Sequence, residues 1–154
     1  MAVKAPIIDF EKSLGPWLGR TMKMVDHHLQ EAFNATKIDI TKEQMIVLKR
    51  LQGQDGMNQN ELASQTYRDK SSLARLLSKM EAKGYIKREK GKIDKRNKRV
   101  FLTSHGIEVF ESTRPVIKEV MDTMENGISE PDKEMVIEAL KQIQTNFTKK
   151  LATK

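Results

Sequence analysis

The spacing of apolar residues constrains this chain before anything else does. Leu14, Leu18, Met22, Val25, Leu29 and Phe33 follow one another at intervals of 4, 4, 3, 4 and 4 residues. Towards the other end Val136, Leu140, Ile143, Phe147 and Leu151 repeat at 4, 3, 4 and 4. Such residues fall on one stripe only in a helix of about 3.6 residues per turn. Pro16 sits in the first turn of the first stripe, where a missing amide leaves nothing unbonded. A third long helix is marked by Ile107, Phe110, Ile117, Met121 and Met124, with Pro115 inside it, where a bend is expected. A chain of 154 residues patterned this way is mainly α and about one domain in size.

The middle of the chain is punctuated more finely. Thr41 with Gln44 forms a capping box that opens a second helix, with Met45, Leu48 and Leu51 facing inward and an end before Gly53. Asn58 and Glu61, flanked by Met57 and Leu62 at the staple positions, open a short helix that ends near Tyr67. Asp69 then caps a longer helix with an inner stripe of Leu73, Leu76, Leu77 and Met80, closed by Gly84 in the left-handed conformation. Tyr85-Ile86 and Val100-Phe101-Leu102-Thr103 bracket a charged, glycine-bearing loop and predict a two-strand hairpin with Gly91 to Asn97 at its tip.

Charge adds a direction. The net charge is +7, but the segment from Arg68 to Arg99 holds thirteen Lys/Arg against four Asp/Glu, so the rest of the chain is slightly acidic. Positive charge concentrated in this way points to a polyanionic partner, most often nucleic acid. There is no cysteine, which excludes disulfides, thiol metal sites and cysteine nucleophiles. The longest apolar run, Met45 to Leu48, is far too short to span a membrane, and no secretory apolar region follows the start. The cytoplasm is the expected compartment.

A short helix, a tight connection and a longer basic helix make a helix-turn-helix, whose second helix can enter the major groove. Its outward side carries Lys70, Ser71, Ser72, Arg75 and Lys79, types that read base edges and anchor phosphates. Asn58, at the start of the shorter helix, is counted with them. In the hairpin, eight cations occur in the thirteen residues from Lys87 to Arg99. Like charges across a ribbon repel, so such a hairpin makes physical sense with phosphates to neutralise it. Lys92, Lys95, Arg96 and Lys98 are the expected contacts, with Arg96 suited to a narrow minor groove.

Asp94-Lys95-Arg96-Asn97-Lys98-Arg99 fits a D-x-R-x-x-R signature, and Leu102-Thr103-Ser104-His105-Gly106 fits L-T-x-x-G. With Glu61-Leu62-Ala63 and the run from Leu73 to Ile86, these residues resemble the wing and helix-turn-helix of the MarR (multiple antibiotic resistance regulator) family. The resemblance covers about residues 10 to 152. It implies a winged helix-turn-helix with long N- and C-terminal dimerisation helices. The expected parts are residues 1–36 and 104–154 for dimerisation and 37–103 for DNA, intertwined as one domain. It also implies that Asp94 pairs with a wing arginine to shape the tip, and that Arg99 supports the wing. The function expected is that of a homodimeric repressor of transcription acting on a pseudo-palindromic duplex.

Family members are often released from DNA by a small aromatic or anionic effector. Trp17, Met24, His28 and Met45 are the candidate lining residues, the competing reading being plain dimer core. His27 and His28 are about 100° apart on their helix and cannot both face one ion, so no metal is expected. No cofactor is expected either. No phosphate loop, HExxH or GxSxG is present, so the chain is not expected to be an enzyme. The alternative to a DNA-binding regulator is a basic helical adaptor for acidic proteins or anionic surfaces. It has no need of an arginine-tipped hairpin.

Overall fold

A computed structural model describes residues 4–152. They form six α-helices and a small antiparallel sheet: α1 (Leu14–Ala35), α2 (Lys42–Gly53), β1 (Met57–Asn58), α3 (Gln59–Gln65), α4 (Lys70–Ala82), β2 (Ile86–Lys90), β3 (Lys98–Leu102), α5 (Ser104–Glu125) and α6 (Glu130–Ala152). A 3-10 turn, Phe10–Lys12, precedes α1.

The helix ends fall where side chains can satisfy their free amides. Thr41 and Gln44 form both bonds of a capping box on α2. Asn58 accepts from the Glu61 amide at 2.7 Å, and Asp69 from the Ser72 amide at 2.8 Å. The chain leaves α4 through Gly84 at φ +74, with the Tyr85 amide returning to the Met80 carbonyl, a Schellman closure. Ser13 does not cap α1 with its side chain; Asp9 caps the preceding turn instead. The helix α5 runs through Pro115 as one element.

The sheet has one strand more than the hairpin read from the sequence. Its order is β1-β3-β2, with Met57 opposite Val100 and Ile86 opposite Leu102. Two residues are too few to show a strand period, and β1 exists only because β3 offers an open edge. The hairpin strands run as far as the Lys90–Lys98 pair, which leaves Gly91 to Asn97 at the tip as the sequence suggested. Tyr85 stands outside the strand, its amide having closed α4.

By contacts the chain divides after Val120 into two units. The first holds the core: Phe33, Ile40, Val47, Leu48, Leu51, Leu62, Leu73, Leu77, Met80, Ile86 and Val100 are sealed from solvent, with Phe110 and Val116 of α5 closing one side. This core lies under the helix-turn-helix and the wing, so both rest on a single packed base. Only Leu29 and Phe33 of the α1 stripe are buried in it; Leu14 and Met22 remain exposed.

The second unit is the end of α5 and α6. There Lys133 bonds Glu125 and Glu130, and those hydrogen bonds raise its pKa. No residue of α6 is buried; Phe147 is 64% and Leu151 75% exposed. No helix among the described residues is long and apolar enough to cross a membrane.

Candidate nucleic-acid interface

The helix-turn-helix is α3, a four-residue connection and α4. Burial of Leu73, Leu77 and Met80 fixes the rotation of α4 and leaves Lys70, Ser71, Arg75 and Lys79 exposed on the opposite side. Ser72 is only half-exposed, and its amide is taken by Asp69. That hydrogen bond holds the Asp69 carboxyl below the usual carboxylate range, with Arg75 adding to the effect. The cap therefore fills one of the amide positions that a phosphate would otherwise use at this helix end. Asn58 is half-buried and spends its side-chain oxygen on the Glu61 amide.

The wing is the loop between β2 and β3. Lys92, Lys95 and Arg96 are exposed on it, as is Lys98 at the start of β3. Its tip folds on itself through two backbone bonds, Gly91 amide to Asn97 carbonyl at 3.2 Å and Asn97 amide to Asp94 carbonyl at 3.1 Å. A Cβ at Gly91 would lie 2.7 Å from the Asp94 carbonyl oxygen, so the turn requires glycine there. Asp94 shapes the tip differently from the pairing implied by resemblance. Its carboxylate accepts from the Arg96 backbone amide at 2.9 Å and makes no ion pair among the described residues. Arg96 itself is exposed, and its guanidinium makes no ion pair among the described residues. Arg99 donates to the Gly56 carbonyl at 3.3 Å and ties β3 to the turn before β1. Asp55 adds a second tie by accepting from the Leu102 amide at 2.9 Å.

A second cation of the hairpin, besides Arg99, is structural. The Arg88 side chain is 14% exposed and lies against α4. Its guanidinium donates to Glu81 and to Ser78, each at 3.2 Å, and its backbone amide donates to Glu81 at 2.9 Å. These bonds depress the Glu81 pKa. Arg88 is thus a strut that sets the wing against the basic helix, and it is not available to phosphate. Counting cations along the hairpin could not separate it from its neighbours. The only sequence signal was a lone acid, Glu81, on the exposed side of α4. At the same end of α4, Lys83 donates to Asp39 and Gln44 while the Tyr85 hydroxyl donates to the Asp39 carbonyl. Burial raises the Tyr85 pKa, with Asp39 adding to it. These bonds fasten the helix to the loop between α1 and α2.

The candidate effector residues are dispersed. Trp17, Met24 and His28 occupy one side of α1 by their spacing of 7 and 4, and all three are exposed. The Trp17 indole donates to the Glu11 carbonyl at 2.8 Å, and the Arg20 guanidinium lies 4.6 Å from its ring centre. Met45 of α2 packs instead against the edge of the core.

Comparison with known proteins agrees with this architecture. The MarR family model matches residues 40–98. The regulator SarZ of Staphylococcus haemolyticus is 30% identical over 112 residues, covering 71% of this chain and 74% of that protein. The chain belongs to the MarR family. Among solved structures, the Staphylococcus aureus MepR–DNA complex superposes with a TM-score of 0.77 at 24% identity, over 90% of this chain and 99% of that one. BpsR of Bordetella bronchiseptica, whose DNA binding is regulated by 6-hydroxynicotinic acid, gives 0.80 at 17% identity over 90% and 98%. At these identities the two structures speak to fold alone, a MarR winged helix. Membership makes the chain a transcriptional regulator rather than an enzyme, in keeping with the names of its relatives.

Proposed function

We propose that this MarR-family chain is a homodimeric repressor that binds double-stranded DNA in a sequence-specific way and lets go when a small molecule binds. The observation that carries the reading is that two cationic surfaces, the outward side of α4 and the wing tip, are held by one core and braced to each other through Arg88. In it, Arg75 and Ser71 read base edges in the major groove while Lys70 and Lys79 meet phosphates. Ser72 and the Asn58 amide group lie at the edge of that surface. Arg96 enters the minor groove, and Lys92, Lys95 and Lys98 neutralise the backbone on either side.

The exposed apolar faces of α1, the end of α5 and α6 supply the dimerisation region, residues 1–36 and 104–154, with 37–103 left for DNA. A second copy covers Phe147, Leu151, Met121 and Met124. Two-fold symmetry then requires a pseudo-palindromic site with half-site centres about 10 bp apart. A protein working on chromosomal DNA acts in the cytoplasm. Trp17, Met24, His28 and Met45 are the candidate contacts for an aromatic or anionic effector, 6-hydroxynicotinic acid being the probe that the BpsR likeness suggests.

Salt titration tests the reading. Duplexes that the protein selects from a random-sequence pool should bind with log affinity falling linearly with log salt, at a slope equivalent to about 6–10 phosphates per dimer. Unchanged affinity from about 50 to 200 mM salt, or sedimentation as single chains only, overturns it.

A further inference from the structure

The connection between α3 and α4 contains a residue that neither the core nor the groove-facing side accounts for. Tyr67 is 98% exposed, and its hydroxyl has no partner among the described residues. Its backbone lies at φ +53, in the left-handed region. The position is the residue after the α3 cap: the Tyr67 amide bonds the Ser64 carbonyl and the Arg68 amide bonds the Ala63 carbonyl, a Schellman closure. Glycine adopts this backbone without steric cost, and the chain uses it at the ends of α4 and α5, through Gly84 and Gly127, while Lys37 takes it after α1 at φ +56. Here a tyrosine takes it instead and holds its ring clear of the protein. Folding gains nothing visible from this ring. Two residues on, Asp69 caps α4, and Arg68 and Lys70 flank the turn with positive charge.

We propose that Tyr67 is a DNA contact of its own, its hydroxyl donating to a backbone phosphate beside the mouth of α4 and its ring lying along the adjoining sugar. The proposal rests on the DNA-binding reading and names a residue outside the two surfaces that reading uses. Tyrosine is well suited to such a contact, because the phenol is a neutral donor on a stiff arm with few rotamers to lose, and it reaches further than serine. Because the contact is to backbone and uncharged, it should strengthen binding to all sequences alike. It should leave the salt slope unchanged.

The wild-type protein permits a direct test, since it has only two tyrosines and Tyr85 is buried. Tetranitromethane should nitrate Tyr67 in the free protein, and a saturating selected duplex should slow that reaction at least severalfold. In parallel, Tyr67→Gly relieves the backbone and should fold at least as well as wild type, yet bind the duplex roughly tenfold more weakly with the same salt slope. Tyr67→Asn, which also tolerates the left-handed region, should lose a similar factor, and Tyr67→Phe part of it. Undiminished nitration under saturating duplex, or Gly and Asn variants that bind within twofold of wild type, overturns the proposal while leaving the DNA reading intact. A wild-type protein indifferent to duplexes overturns both.

Discussion

Replacing Gly106 by alanine sets two effects of opposite sign against each other. Alanine is favoured over glycine in a helix by up to about 1 kcal/mol, so propensity alone predicts a gain. The added methyl, however, would lie 2.0 Å from the Tyr85 carbonyl oxygen and 2.9 Å from the carbonyl carbon. Neither atom is free to retreat. The same carbonyl accepts from the Thr103 amide at 3.2 Å, and the Tyr85 amide is bound to Met80. The start of α5 would have to move outward by roughly 1 Å, loosening the packing beneath Phe110 and Val116. It would also strain the bond from the Gly106 amide to the Thr103 hydroxyl, now 2.9 Å. Overpacking and cap loss together cost about 3–4 kcal/mol, against at most about 1 gained, so the net loss is about 2–3 kcal/mol. Gly19→Ala is the control: nothing lies within 4 Å of its added methyl, and the gain should be about 0.5–1 kcal/mol. Urea unfolding followed by circular dichroism, at one protein concentration because association shifts apparent stability, measures both. A Gly106→Ala protein as stable as wild type would refute the close approach of α5 to Tyr85 as the reason for glycine in this motif.

Arg88→Met should lower stability by about 1–2 kcal/mol and weaken DNA binding. In a double-mutant cycle with Glu81→Gln the two losses should couple by about 1 kcal/mol, and strict additivity would remove the strut. Arg96→Ala should reduce DNA affinity and lower the salt slope without changing the unfolding midpoint. Arg75→Ala should relax preference at one base position by about 1–3 kcal/mol, read by competition between single-base variants. Glu81 and Asp69 both titrate below their ordinary values of 4.5 and 3.8 in the folded protein. The unfolded chain therefore binds their protons first on acidification. Their contribution is complete above the ordinary values and is lost as pH falls below them. Urea midpoints measured from pH 7 to pH 3 should decline at the acid end, and Glu81→Gln should flatten part of that decline.

Much of this protein is written locally. Apolar spacing sets the long helices, and the short-range chemistry of Thr41, Asn58, Asp69 and Gly84 sets their ends, because each cap involves groups within three to five residues of one another. The basic face of α4 follows from the same arithmetic, since burying Leu73, Leu77 and Met80 turns Arg75 and Lys79 outward. What tertiary structure alone decided lies in pairings between segments far apart in sequence. Two residues, Met57 and Asn58, became a strand because β3 lay beside them. Arg88 left the company of phosphate-seeking cations because Glu81 and Ser78 of α4 came within hydrogen-bonding reach of it. Asp94 held the wing through a backbone amide rather than a guanidinium, an outcome set by the fold of the loop. Composition tells how many charges a segment carries. Only the fold tells which of them meet one another and which are left for a partner.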